Sequence, residues 1–191
     1  MIHRILLAGF TIALPLFMQA QALVQNFSLT NVVDGNIVSL ESYPSSSGIA
    51  IIFTSNVCPY DLYYAERIKS LVFEYQGRIQ FILINAHLEA GESPDKMKEA
   101  YGNWGLPIPY LVDKEQTAMA YLGAKKSPEV FLLRRAGGKY KVFYSGAIDD
   151  NPQVPTAVTD SYFKKAIDTL LAGNDENTSS VRAVGCSIRR K

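Results

Sequence analysis

An α/β fold built on a mixed β-sheet is what this chain of 191 residues predicts. Three features lead there. The runs 48–54 and 78–87 are apolar and β-branched without alternation, the pattern of strands buried on both faces. Apolar residues at helical spacing fill the stretch between them, so the three make a strand–helix–strand unit. Two further β-rich runs, 128–135 and 140–146, flank a glycine turn and read as an antiparallel hairpin. By the usual prior of about 150 residues per domain this is one domain, and it removes roughly 70% of its unfolded surface on folding.

Each element has its own signal, in chain order. "MIHRILLAGFTIALPLFMQAQA", residues 1–22, sets His3 and Arg4 before an apolar run and ends in Ala20-Gln21-Ala22. That is the charged, apolar and small-residue order of a secretory signal, with cleavage expected after Ala22. The run is shorter than the ~20 residues of a bilayer span, Pro15 interrupts it, and no cysteine follows to carry a lipid anchor. An exported protein, periplasmic or extracellular and without stable membrane insertion, is expected. Alternating apolar residues on both sides of Asp34-Gly35 predict a hairpin. The helix over 60–75 presents Leu62, Ile68, Leu71, Val72 and Tyr75 and closes near Gly77. Ser93 and Pro94 open a second helix as N-cap and first helical residue. "LPIPYLVD" is extended, because proline restricts itself and the residue before it. A short helix ends at Gly123, and an amphipathic one over 161–172 stops at Gly173. The domain thus spans 23–173, and the tail 174–191 is expected to lack regular structure.

A formal net charge of +1 makes no electrostatic case for nucleic acid. No glycine-rich phosphate loop and no Gly-x-Ser-x-Gly elbow is present. The chain has two cysteines, Cys58 and Cys186, too few for a disulfide scaffold. Outside the cytosol they are either one staple or chemistry. With His87 they are scattered and lack metal-ligand spacing, so neither a metal nor another cofactor is expected. Asn26 and Asn177 open glycosylation sequons.

Hairpin, strand, helix, strand, two helices, hairpin and a last helix is the thioredoxin arrangement with an N-terminal β-hairpin extension and a C-terminal tail. Periodicity alone leaves it one candidate among several. "FTSNVCPYDLYYAERI" resembles the active-site segment of thioredoxin-like redoxins in the alkyl hydroperoxide reductase/thiol-specific antioxidant superfamily. It is most similar to the exported branch ending in Gly-Cys-Ser-Ile: "SPEVFLL" matches that branch's proline loop, "YSGAIDDNP" its hairpin exit and "VGCSIRR" its C-terminus. The likeness runs from Phe27 to Arg190. One departure matters. Many relatives have a cysteine at Ser55, so their Cys-x-x-Cys exchange does not carry over. Peroxiredoxins place Thr or Ser three residues before the reactive cysteine, as Ser55 stands here, but their upstream proline is Ile51 in this chain.

Cys58 lies where a buried strand meets a helix, so its sulfur belongs near the helix N-terminus. Such positions favour thiolate and lower a thiol pKa from about 8.5 to roughly 3.5–7.5. An inert core cysteine is the alternative. Pro59 fixes the first helical φ. Ser55 either donates to a thiolate or peroxide oxygen or merely fills a small site. The resemblance implies a cis bond at Ser127-Pro128, whose backbone would hold an extended substrate together with Pro59 and Tyr60. His87 is a base on the same rim or a solvated strand end. Tyr60, Tyr63, Tyr64 and Trp104 line a groove or pack. Three roles stand open for Cys186: resolving thiol for Cys58, permanent staple, or free cysteine.

The leading expectation is an exported thiol-disulfide oxidoreductase with Cys58 as nucleophile and Cys186 resolving. It would act on protein or small-molecule thiols and disulfides and take electrons from an unidentified donor. A peroxiredoxin-like thiol peroxidase, reducing peroxide through a sulfenic acid at Cys58, is the alternative. A redox-inactive peptide-binding module is the third reading.

Overall fold

The computed structural model describes residues 23–174 and 180–191. The 1–22 segment read as an export signal and the Asn177 sequon lie outside the described residues. The first half holds β1 (Leu23–Val24), β2 (Ser28–Asn31), β3 (Ile37–Ser39), β4 (Gly48–Phe53), α1 (Pro59–Glu74) and β5 (Ile79–Asn85). Then come α2 (Pro94–Trp104), β6 (Tyr110–Val112), α3 (Thr117–Leu122), β7 (Lys126–Ser127) and β8 (Glu129–Ala136). The chain ends with β9 (Lys139–Gly146), α4 (Tyr162–Leu171) and β10 (Cys186–Ser187). One sheet runs in the order β1-β9-β8-β4-β5-β6-β2-β3, while β10 pairs with β7 apart from it. β4, β5 and β6 are mutually parallel, and β8 lies antiparallel to β4.

Burial explains why the β4 sequence does not alternate. Ala50 and Ile52 face a core shared with Ile68 and Leu71 of α1 and Phe163 and Ile167 of α4. Ile49, Ile51 and Phe53 face the opposite core, with Ala118 and Met119 of α3 and Phe27, Leu29 and Val38 of the N-terminal hairpin. With helices on one face and α3 plus the hairpin on the other, all six β4 residues are buried. The hairpin turns where Asp34-Gly35 predicted it. Gly35 takes φ +78°, and the Asp34 carboxylate accepts from Asn31 Nδ2 at 2.9 Å and Asn36 N at 3.0 Å. Between β8 and β9, Gly137 and Gly138 both adopt positive φ, as a two-residue hairpin turn requires.

Two expectations change. Leu62 is 67% exposed, and Asp61 takes the inward place. The reason is phase: Asp61 precedes Ile68 by seven residues, two turns of helix, whereas Leu62 does not stack on that face. The tail also has structure from Ser180 onward. Val181 bridges Gly146, β10 pairs with β7, and Ile188 is buried. No helix among the described residues is long and apolar enough to cross a membrane.

Phe163 is fully buried and packs its ring edge against Phe81 at 6.4 Å, with Tyr144 at 6.2 Å. Phe163→Ala should cost about 3–5 kcal/mol of unfolding free energy with the denaturant slope unchanged, as read by urea titration.

Candidate active site

β4 delivers the chain into a short loop, and α1 begins at its end. Cys58 is the N-cap of α1 with extended backbone (φ −77°, ψ 123°), and Pro59 opens the first turn. The thiol position is thus at the helix mouth, and Cys58 is only 2% exposed. Ser55 holds the loop. Its Oγ accepts from the amides of Cys58 at 3.1 Å and Val57 at 3.2 Å, and it donates its one proton to the Glu92 carboxylate. Glu92 is fully buried between β5 and α2 and also accepts from Asn56 N at 2.9 Å and Asn85 Nδ2 at 2.7 Å. Ser55 therefore positions the cysteine backbone and spends its hydroxyl proton away from the sulfur.

Cys58 and Cys186 are joined, with S–S 2.04 Å and Cα atoms 6.0 Å apart across 128 residues of sequence. The free-cysteine reading of Cys186 is set aside. The bridge is made possible by β7: Cys186 lies opposite Ser127 and Ser187 opposite Lys126. The Ser127-Pro128 peptide is cis, as the resemblance implied. The Ser127 carbonyl lies 3.4 Å from Cys58 Sγ, a contact in the disulfide and an acceptor for the thiol once reduced. Gly185 runs past the same peptide so closely that a Cβ there would stand 2.2 Å from Ser127 O. Farther on, Ile188 N donates to Lys125 O at 3.0 Å. Gln116 then grips the tail end, donating to Arg189 O at 2.6 Å and accepting from Lys191 N at 3.0 Å. Gln116 does this from a left-handed backbone, φ 56°, a conformation a non-glycine residue keeps only where its surroundings hold it there.

A buried acid follows Cys58 by one turn, its amide donating to the Cys58 carbonyl at 3.1 Å. Asp61, three residues into α1, is fully buried; Thr54 Oγ1 donates to its Oδ1 at 2.6 Å, and Oδ2 has no partner. Burial lifts its pKa to about 8 against the lowering hydrogen bond from Thr54, and Glu92 adds to the lift. At neutral pH burial leaves this carboxyl holding its proton on the first turn of the helix that Cys58 caps. His87 is buried rather than solvated. Its Nε2 shares a hydrogen with Ser127 Oγ at 2.8 Å, its Nδ1 faces Glu89 at 3.6 Å, and burial holds its pKa below the ordinary value.

Tyr64 and Trp104 pack in or against the core, with the Tyr64 hydroxyl on Asp149 at 3.0 Å. Tyr60 and Tyr63 meet edge to face at 6.0 Å beside the helix mouth, and Pro59 is exposed. Site residues not anticipated from the sequence are Asp61, Glu92, Gln116 and Gly185. Asp61 was detectable as a carboxylate in phase with the apolar stripe of α1; Glu92, 37 residues from Ser55, carried no such mark.

No protein-family model and no curated protein matches the chain. Solved structures do. An uncharacterized conserved protein from Geobacillus kaustophilus superposes with a TM-score of 0.78 at 28% identity, over 94% of this chain and 98% of its own. Peroxidoxin BcpB from Mycobacterium tuberculosis gives 0.59 at 19%, over 81% and 97%. A secreted disulfide oxidoreductase of Mycobacterium tuberculosis, homologous to E. coli DsbE, gives 0.52 at 15%, over 76% and 95%. The fold is thioredoxin-like. Two of these neighbours are named as a peroxidoxin and a disulfide oxidoreductase, and the Cys58–Cys186 pair sits where the first helix of the unit begins.

Asp61 has a folded pKa above its unfolded one, so its contribution to stability is complete below about pH 4 and is lost as pH rises through about 8. The oxidised protein should lose on the order of several kcal/mol between those limits, and Asp61→Asn should flatten the loss, measured by urea unfolding at pH 5 and pH 8. A side chain at position 185 has no room beside Ser127. Gly185→Ala should shift the thiol–disulfide equilibrium toward the dithiol by about ten-fold or more, read by alkylation and mass spectrometry in a glutathione buffer.

Proposed function

We propose that the chain is a thiol-disulfide oxidoreductase in which Cys58 is the nucleophile and Cys186, carried on the tail, resolves the mixed disulfide. One observation carries this reading: the joined sulfurs span a helix N-terminus and a separate strand laid against the cis Ser127-Pro128 peptide. A pure staple has no need of the helix mouth. On reduction, Cys58 is left at the α1 N-terminus, where the macrodipole favours its thiolate. Cys58 then attacks a substrate disulfide, and Cys186 attacks the mixed disulfide in turn, restoring the bridge.

The peroxidase alternative gains less from the geometry. A peroxide needs donors converging on the sulfur, yet Ser55 gives its proton to Glu92 and the Cys58 amide gives its own to Ser55. The charged, apolar and small-residue order of 1–22 and the Gly185-Cys186-Ser187-Ile188 motif support an exported protein acting outside the cytosol.

Insulin-disulfide reduction, with a chemical dithiol as donor, tests the reading. Cys58→Ser should abolish turnover, whereas Cys186→Ser should accumulate a covalent adduct between Cys58 and the substrate, visible by mass spectrometry. Full activity in the Cys58→Ser protein would overturn the reading. Hydrogen peroxide consumption at a rate exceeding disulfide exchange would replace it with the peroxidase.

A further inference from the structure

We propose that the tail is an internal copy of the substrate. On this inference, Cys58 acts on an extended peptide whose cysteine is preceded by glycine and followed, two residues on, by a branched aliphatic side chain. It rests on the exchange activity proposed above and adds the sequence that the site reads.

The seat is made of backbone. β10 lies antiparallel to β7 with Cys186 opposite Ser127, and Ile188 N continues the pairing by donating to Lys125 O at 3.0 Å. Main-chain pairing of this kind accepts any extended peptide, so selectivity comes from what the side chains meet. Three positions of the tail differ in what they meet. Before the cysteine, Gly185 passes the cis peptide too closely to admit a side chain: a Cβ there would stand 2.2 Å from Ser127 O and 2.7 Å from its carbonyl carbon. Directly after the cysteine, Ser187 is exposed, its Oγ accepting from the Lys126 ammonium at 3.0 Å, so this position is permissive. Two residues after the cysteine, Ile188 is 7% exposed and belongs to the apolar core on the α3 side of the sheet, with Met119, Leu122 and Ala124. Beyond it the tail is held through the Arg189 carbonyl by Gln116, again without reading a side chain.

A peptide and the tail cannot share this seat, so they alternate in it. The reduced chain opens the cycle. The Cys58 thiolate attacks the peptide's cysteine sulfur; the substrate S–S bond breaks, and its second sulfur leaves with the electron pair and takes a proton. The tail then returns, the Cys186 thiolate attacks Cys58 Sγ, and the peptide departs as a thiolate that is protonated in turn. The substrate disulfide has gained two electrons and two protons, and Cys58 and Cys186 have lost them as they form their bond.

The experiment uses the reduced full-length Cys186→Ser protein and the synthetic peptide Val-Gly-Cys-Ser-Ile-Arg-Arg, its thiol capped as a mixed disulfide with 5-thio-2-nitrobenzoate. Attack by Cys58 releases the coloured thiolate, whose absorbance gives the second-order rate. The peptide should react about ten-fold or more faster than the same mixed disulfide of 2-mercaptoethanol. Peptides with Val in place of the glycine, or Asp in place of the isoleucine, should fall to the small-molecule rate, while Ala in place of the serine should change little. The same ranking should appear in the intact wild-type chain as the rate at which symmetric peptide disulfides generate the Cys58–Cys186 bond, followed by mass spectrometry. Equal rates for all probes in both proteins would overturn the inference and leave the exchange activity standing. Failure of Cys58 to react with any of them would overturn both.

Discussion

The backbone of Ser127 is the point on which both halves of the cysteine pair depend. Its carbonyl touches Cys58 Sγ, its main chain faces Cys186, and its hydroxyl reaches His87. The close passage of Gly185 follows from the same peptide. Strand β7 is only two residues long and takes no part in the main sheet, so it is free to serve as an edge for something laid against it. A thioredoxin-like sheet thus supplies a rigid helix mouth on one side and an adaptable backbone edge on the other, with the reactive sulfur between them.

The loop before Cys58 is held by polar groups that the interior normally resists. Glu92 is offset by three donors, from Ser55, Asn56 and Asn85, and such satisfaction is what makes a buried carboxylate tolerable. Asp61 is treated differently, with one oxygen bonded and the other unpartnered. Burial, only partly opposed by the bond from Thr54, makes this acid keep its proton instead of its charge, which explains the rise of its pKa. The two carboxyls divide the work. One fixes the position of the cysteine backbone, and the other holds its proton on the first turn of the same helix.

How much of this the sequence discloses depends on range. Local chemistry was readable: the Asp34-Gly35 turn, the Ser93-Pro94 helix start, the glycine hairpin and the Cys58-Pro59 junction all form where residue types demand it. The doubly buried β4 was readable too, because burial on both faces leaves an unbroken apolar run. Contacts made across the fold were not. Ser55 meets Glu92 across 37 residues, and Gln116 meets Arg189 across 73, and no pattern along the chain relates them. The polar composition of the tail pointed to irregular structure because strand propensity is weak in it. Pairing with β7 and burial of Ala183 and Ile188 override that preference. Asp61 lay between these cases: its helical phase was visible, but an acidic residue on an apolar stripe is more readily assigned to the solvent side.

The two sulfurs are not equivalent, and this sets how a redox cycle would pass through them. Cys58 is 2% exposed beneath the tail, whereas Cys186 is partly exposed. A reductant arriving from solvent therefore meets Cys186 first, and the bond breaks with Cys58 as the leaving group. A thiolate at a helix N-terminus is a good leaving group, since exchange speeds up as the leaving thiol's pKa falls. In the opposite half of the proposed cycle the same thiolate would be uncovered only when the tail moves aside, and would then be the nucleophile. Donor and substrate thus address different sulfurs, one on the tail and one beneath it. The tie at Val181, upstream of the seat, keeps the displaced strand near it, so that resolution needs a short return rather than a search. The helix mouth makes Cys58 leave easily and attack readily, and the tail decides which of the two it does.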